Sequence, residues 1–138
     1  MRTSTKRTAA RLGTLALVAG AAATTVPTAA QAAGYNGVCG SGYTVVDHRD
    51  LNLGGTVYLT YNSSNGNNCV VTVRNSPGQP ILMLAGLSLA GASTWTKLDE
   101  DYYRSYAGPV YLHAEHSCID WEGGIENNVS GGFHTHCG

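Results

Sequence analysis

This sequence predicts an all-β fold, a small single-domain β-sandwich or barrel held by two disulfides. Three observations carry that reading. Beyond residue 33 no segment keeps a 3.6-residue apolar period, and short runs rich in Val, Thr, Tyr and Leu alternate with 16 of the 18 glycines. All four cysteines also lie there, an even number suited to bridging.

The first 32 residues are a different kind of segment. Arg2, Lys6, Arg7 and Arg11 form a positive head, residues 12–23 an Ala-rich apolar run, and Ala30-Gln31-Ala32 a small-x-small cleavage site after Pro27. This is the layout of a signal peptide over 1–32, with the cut before Ala33. The apolar run is short of the roughly 20 residues a membrane span needs. Lys6-Arg7 is not a twin-arginine pair, so the general secretory route is expected. Those four bases are half of the eight in the chain, and the signal holds none of the nine acids, so 33–138 carries a net charge of −5. An acidic domain offers no footprint for phosphate backbones or anionic lipid, so neither nucleic acid nor an inserted membrane is an expected partner.

The domain at 33–138 is small enough that its core is marginal, because so short a chain buries only about two-thirds of its unfolded surface. Cross-links would offset this in an oxidising compartment, each by about 2–4 kcal/mol. Four cysteines allow three pairings. The sequential one, Cys39–Cys69 with Cys118–Cys137, is preferred here, and no C-x-x-C pair points to zinc instead.

Taken in order, 43–47 is a first expected strand. Residues 56–61 are a stronger one, alternating Val57, Leu59 and Tyr61 with Thr56, Tyr58 and Thr60. Asn65-Gly66 within 62–68 supplies a tight turn, and 68–74 pairs back, with Cys69, Val71 and Val73 expected inward and Val70, Thr72 and Arg74 outward. After Ser76-Pro77-Gly78, the apolar run 81–89 suits a strand buried on both faces or a helical turn, and Gly86 with the turn near Gly91 favours the strand. A short strand at 94–98, a surface helical turn at 99–103, and an alternating strand at 110–116 with Val110, Leu112 and Ala114 inward follow. Residues 118–121 are read as a short strand ending before Gly123-Gly124, and 133–137 closes the fold. Trp95 and Trp121 are assigned to the core.

Candidate chemistry is sparse. His134 and His136, two apart on one strand, have workable spacing for a zinc or copper pair, with His113 beside Glu115 as a third donor. That pattern is the basis for an alternative reading as a small metal-dependent hydrolase. Asp120 and Glu122 share parity, but a glycosidase also needs a cleft for which a chain this short has little room. Asp99-Glu100-Asp101 lacks calcium-loop spacing, and no G-x-S-x-G elbow occurs. No catalytic residue and no cofactor are therefore expected. The remaining candidate is a binding face of Tyr58, Tyr111 and His113, outward by parity, of the aromatic kind that stacks on sugar rings or protein partners.

Several stretches together resemble the spore-associated protein A family, small secreted proteins of filamentous actinobacteria. They are 35–43 (YNGVCGSGY), 55–62 (GTVYLTYN), 68–74 (NCVVTVR), 106–111 (YAGPVY), 118–121 (CIDW) with Gly124-Ile125, and the closing Cys137-Gly138. The resemblance implies export and association with the spore or cell surface, with wall or spore-envelope components as partners. It transfers no catalytic residue. A weaker resemblance is to secreted βγ-crystallin-like domains, and Asn127-Asn128-Val129-Ser130 is one residue short of their calcium motif. The expected function is a non-catalytic, secreted protein of the spore or cell surface. The main alternative is an extracellular binding module for wall glycan or a protein partner.

Overall fold

The computed structural model describes residues 34–138, so the signal-peptide assignment lies outside the described residues. Eight strands follow in order: β1 (Thr44–Leu51), β2 (Gly55–Asn62), β3 (Asn67–Arg74), β4 (Ile81–Leu89), β5 (Lys97–Tyr103), β6 (Tyr106–His113), β7 (Ile119–Ile125) and β8 (Asn128–Thr135). They form two four-stranded antiparallel sheets, β1-β2-β3-β6 and β5-β4-β7-β8, and no helix is present among the described residues. The expected all-β sandwich is the structure observed.

The β2–β3 hairpin forms where its turn residues demand it. The Asn62 side chain accepts from the Ser64 N–H, its carbonyl accepts from the Gly66 N–H at 2.9 Å, and Gly66 takes φ +70°. The register then runs unbroken from Asn62↔Asn67 to Gly55↔Arg74.

Between the sheets lies one core of Val57, Leu59, Val70, Met83, Ala85, Leu87, Ala107, Val110, Ile119, Trp121 and Ile125. Burying one such side chain fully is worth about 1.5–3 kcal/mol. The sheets approach closely at Gly123, where a Cβ would overlap Thr72 Oγ1 and Val57. Beside that contact the Thr72 hydroxyl donates to the Leu84 carbonyl across the interface at 2.7 Å, so a buried polar group is paired. Both open sides are tied. Arg49 of β1 lies 5.4 Å over the Trp121 ring, and Asp99 of β5 accepts from the Gly108 N–H of β6 at 2.6 Å.

Several expectations change. In β3 the core-facing set is Val70 and Thr72, because they pair with Leu59 and Val57; Cys69 and Val71 point to the other face and are buried there as well. The helical turn expected at 99–103 is strand, since 97–103 pairs along β4 from Leu87 to Ile81. The strand expected at 94–98 accordingly begins only at Lys97. β7 runs through Gly123-Gly124 instead of stopping before them. Two neighbouring strands supply its hydrogen bonds, and the missing side chain at Gly123 admits the facing sheet. Strand β4, central between β5 and β7, has the bounds expected for the run 81–89.

Candidate functional site

The two sheets each have an outer face, and these are built differently. On the first sheet His48, Tyr58 and Val71 share one outward row, and Thr60, Cys69 and Tyr111 another. Residues 34–43 fold across these rows. Tyr35 packs on Tyr58 with ring centres 5.6 Å apart, and Tyr35, Cys39, Tyr58, Cys69 and Val71 form a second apolar cluster. The Cys39–Cys69 disulfide pins this cover to β3, and Cys118–Cys137 ties the start of β7 to the C-terminal tail. The preferred pairing is the one observed, and no cysteine is free among the described residues.

The binding face expected from parity is therefore not an open one. Tyr58 is only 4% exposed, a correction to its outward assignment, because the cover occupies the space outside it. Tyr111 remains partly exposed, but its hydroxyl donates to the Cys39 carbonyl at 3.1 Å and its ring meets Tyr43 edge-on at 5.6 Å. Burial raises the phenol pKa values of Tyr35 and Tyr111. His113 is exposed, with Nδ1 3.0 Å from the Asn65 carbonyl oxygen beside the hairpin turn.

His134 and His136 do not form a strand pair on one face. Both have left-handed backbone (φ +54° and +53°) near the bulge between β7 and β8, which breaks simple alternation. The exposed His134 donates its N–H to Asp120, whereas half-buried His136 turns toward Asp47, Nε2 to Oδ2 3.9 Å. His136 and His116 line a cavity of about 270 Å³ at one end of the sandwich, with Val46, Tyr61, Ala114 and Cys137. Among the described residues no three of His, Cys, Asp and Glu stand close enough to share a metal. Asp120 accepts from the Gly91 and His134 N–H groups, which occupies both its oxygens.

The second sheet presents the open surface. Met83, Ala85 and Leu87 face the core, so the alternate β4 residues Leu82, Leu84 and Gly86 face out. In register beside them stand Leu98, Glu100 and Tyr102 on β5, Glu122 on β7 and Val129 on β8. Tyr102 and Phe133 are 66% and 65% exposed, and Leu98 and Val129 nearly half. Trp95, from the β4–β5 loop, lies over Gly86, where a Cβ would come within 3.1 Å of the indole, and its ring centre is 6.3 Å from that of Phe133. This corrects its assignment to the core: the missing side chain at Gly86 leaves a seat on the outside of the sheet. Trp121, by contrast, is fully buried as expected, its Nε1 donating to Thr135 Oγ1. Between the rings stands Glu122, whose carboxyl is held above its ordinary pKa of 4.5 by burial first and the Glu100 charge second, against a hydrogen bond from Trp95. Parity reasoning missed this face because Trp95 lies in a loop and Phe133 follows a bulge.

These features define a class: a disulfide-stapled β-sandwich with one outer face covered and the other open, aromatic and acidic. The chain is 49% identical over 113 residues to spore-associated protein A of Streptomyces coelicolor, covering 80% of this chain and 71% of that protein. It belongs to the spore-associated protein A family. No family model and no solved structure matches it, so nothing further supports the βγ-crystallin-like resemblance. Of the segment 127–130, Asn127 ends the β7–β8 turn and the rest begins β8, where the Asn128 side chain accepts from the Asn52 N–H. No helix among the described residues is long and apolar enough to cross a membrane.

Proposed function

We propose that this protein is exported and held on the spore or cell surface as a non-catalytic component, attached through the open face of the second sheet. The observation that carries the reading is its 49% identity to a protein named for association with spores. The signal-like N-terminus and two bridges that suit an oxidising exterior support it. Asp120, with both oxygens on backbone N–H groups, is poorly placed to act as an acid or base. Fractionation into medium, vegetative cells and washed spores tests the reading. The expected product is on washed spores or in the surface wash, begins near residue 33 and has no free thiol. Recovery from cytosol alone, with the N-terminus intact, would contradict it.

A second reading, a binding module for wall glycan or a protein partner, is favoured by the exposed rings of Phe133 and Tyr102 and the half-buried Trp95 beside Phe133. It supplies the means by which the first would operate. Pull-down on wall polymers tests it, and retention on none of them, with no protein captured, would count against it.

A further inference from the structure

We propose that the outer face of the second sheet binds an amino-sugar polymer with free amines, its rings stacked on Trp95, Phe133 and Tyr102 and its amines paired with Glu122 and Glu100. The inference rests on the surface-attachment reading above and names the chemistry of what is bound.

The rings come first. Phe133 and Tyr102 lie on opposite edge strands of the sheet, three inter-strand steps or about 14 Å apart across it and, by register, about 20 Å apart along it, so the rings follow a diagonal. Trp95 lies between them on the backbone of Gly86. Aromatic side chains held this way present apolar area at small cost in conformational freedom. A pyranose ring, with an apolar C–H face and a polar rim, suits such a strip.

Charge selects among possible occupants. Besides Asp120, whose oxygens are taken by backbone N–H groups, the outward strand positions carry two carboxylates, Glu100 and Glu122, and no Lys or Arg. Among the described residues neither forms an ion pair with a base. A second copy of this chain would set four of these carboxylates against one another across the interface. A neutral glycan would leave them without a partner. A glycan with free amines satisfies both the rings and the charges, and Glu122, half-buried beside Trp95, is where a cation gains the most.

The test is a titration of the exported protein with a glucosamine oligomer, followed by tryptophan fluorescence. Trp121 is fully buried, so a change reports Trp95. Saturable binding is expected. Phe133→Ala should weaken it about tenfold, in keeping with the loss of one stacked ring, and Glu122→Gln about threefold, the size of one partly exposed ion pair. Phe133→Ala should keep the wild-type thermal midpoint and Glu122→Gln should not lower it, and His48→Ala on the other sheet should bind as wild type. The N-acetylated oligomer should bind more weakly than the free amine. Equal binding of the two would overturn the role of the carboxylates, and equal binding of a lysine oligomer would overturn the choice of a sugar. Failure of every oligomer would overturn the ligand while retention on washed spores persists. Loss of that retention as well would remove the surface reading with it.

Discussion

The outer faces of the two sheets begin from similar material and end in opposite states. Each has three or more aromatic side chains in or beside its outward rows: Tyr35, Tyr43, Tyr58 and Tyr111 on the first, Trp95, Tyr102 and Phe133 on the second. On the first sheet, ten residues of chain lie over the rows and a disulfide fastens them down. On the second, the described chain lays only the Trp95 loop over Gly86, and no disulfide fastens it. The difference teaches that β alternation sorts side chains into two faces but does not say which face meets water. A covalently fixed cover turns an outer face into a second core.

Truncating one aromatic on each face is the sharpest way to break this comparison. Tyr58→Ala should cost about 3–5 kcal/mol in urea denaturation, the range for removing a large buried ring. Phe133→Ala should change stability by no more than about 0.5 kcal/mol. Equal losses would mean that the two faces are not distinct. Next in size is the staple. Replacing Cys39 and Cys69 by Ala should cost about 2–4 kcal/mol and expose the phenol of Tyr58 to solvent, read by near-ultraviolet circular dichroism. Replacing Cys118 and Cys137, which closes a shorter loop, should leave that signal intact.

Alkali sharpens the comparison more gently. Tyr35 and Tyr111 under the cover and Tyr103 at the β5 edge all have phenols raised above 10.0. For Tyr103 the hydrogen bond to Asp99 is the main cause and the shift is to about 12. The folded chain keeps protons that the unfolded chain releases, so stability should fall as pH rises from about 10 toward 12. Tyr103→Phe should flatten the upper part of that fall. A titration whose slope Tyr103→Phe leaves unchanged would contradict this. The smallest effect belongs to Glu122. Its raised carboxyl pKa means that the charged form costs stability above that pKa, so Glu122→Gln should raise the thermal midpoint slightly at neutral pH and not at acid pH. A midpoint that falls instead would show a compensating partner for the carboxylate.

Much of the fold is legible in the sequence where a short-range rule applies. The hairpin about Asn65-Gly66, the central strand at 81–89 and the sequential bridges are of this kind. What was not legible depends on non-local contacts. Cys69 and Val71 read as inward because they are apolar and bonded, yet they face a cover formed by chain thirty residues earlier. The acidic stretch 99–103 reads as a surface turn, but pairing with β4 decides its state. The open face escaped because a bulge shifts Phe133 and a missing side chain at Gly86 seats a loop tryptophan. Neither leaves a periodic trace.

The claim on which the rest depends is that the second sheet, and not the first, holds the protein to its surface. Retention on washed spores measures it directly, comparing the exported wild-type chain with the Trp95→Ala, Phe133→Ala double variant and with Tyr111→Phe. The double variant should fold with near-native stability and be shed into the wash, while Tyr111→Phe stays bound. Full retention of the double variant, or shedding of Tyr111→Phe alone, would contradict the assignment.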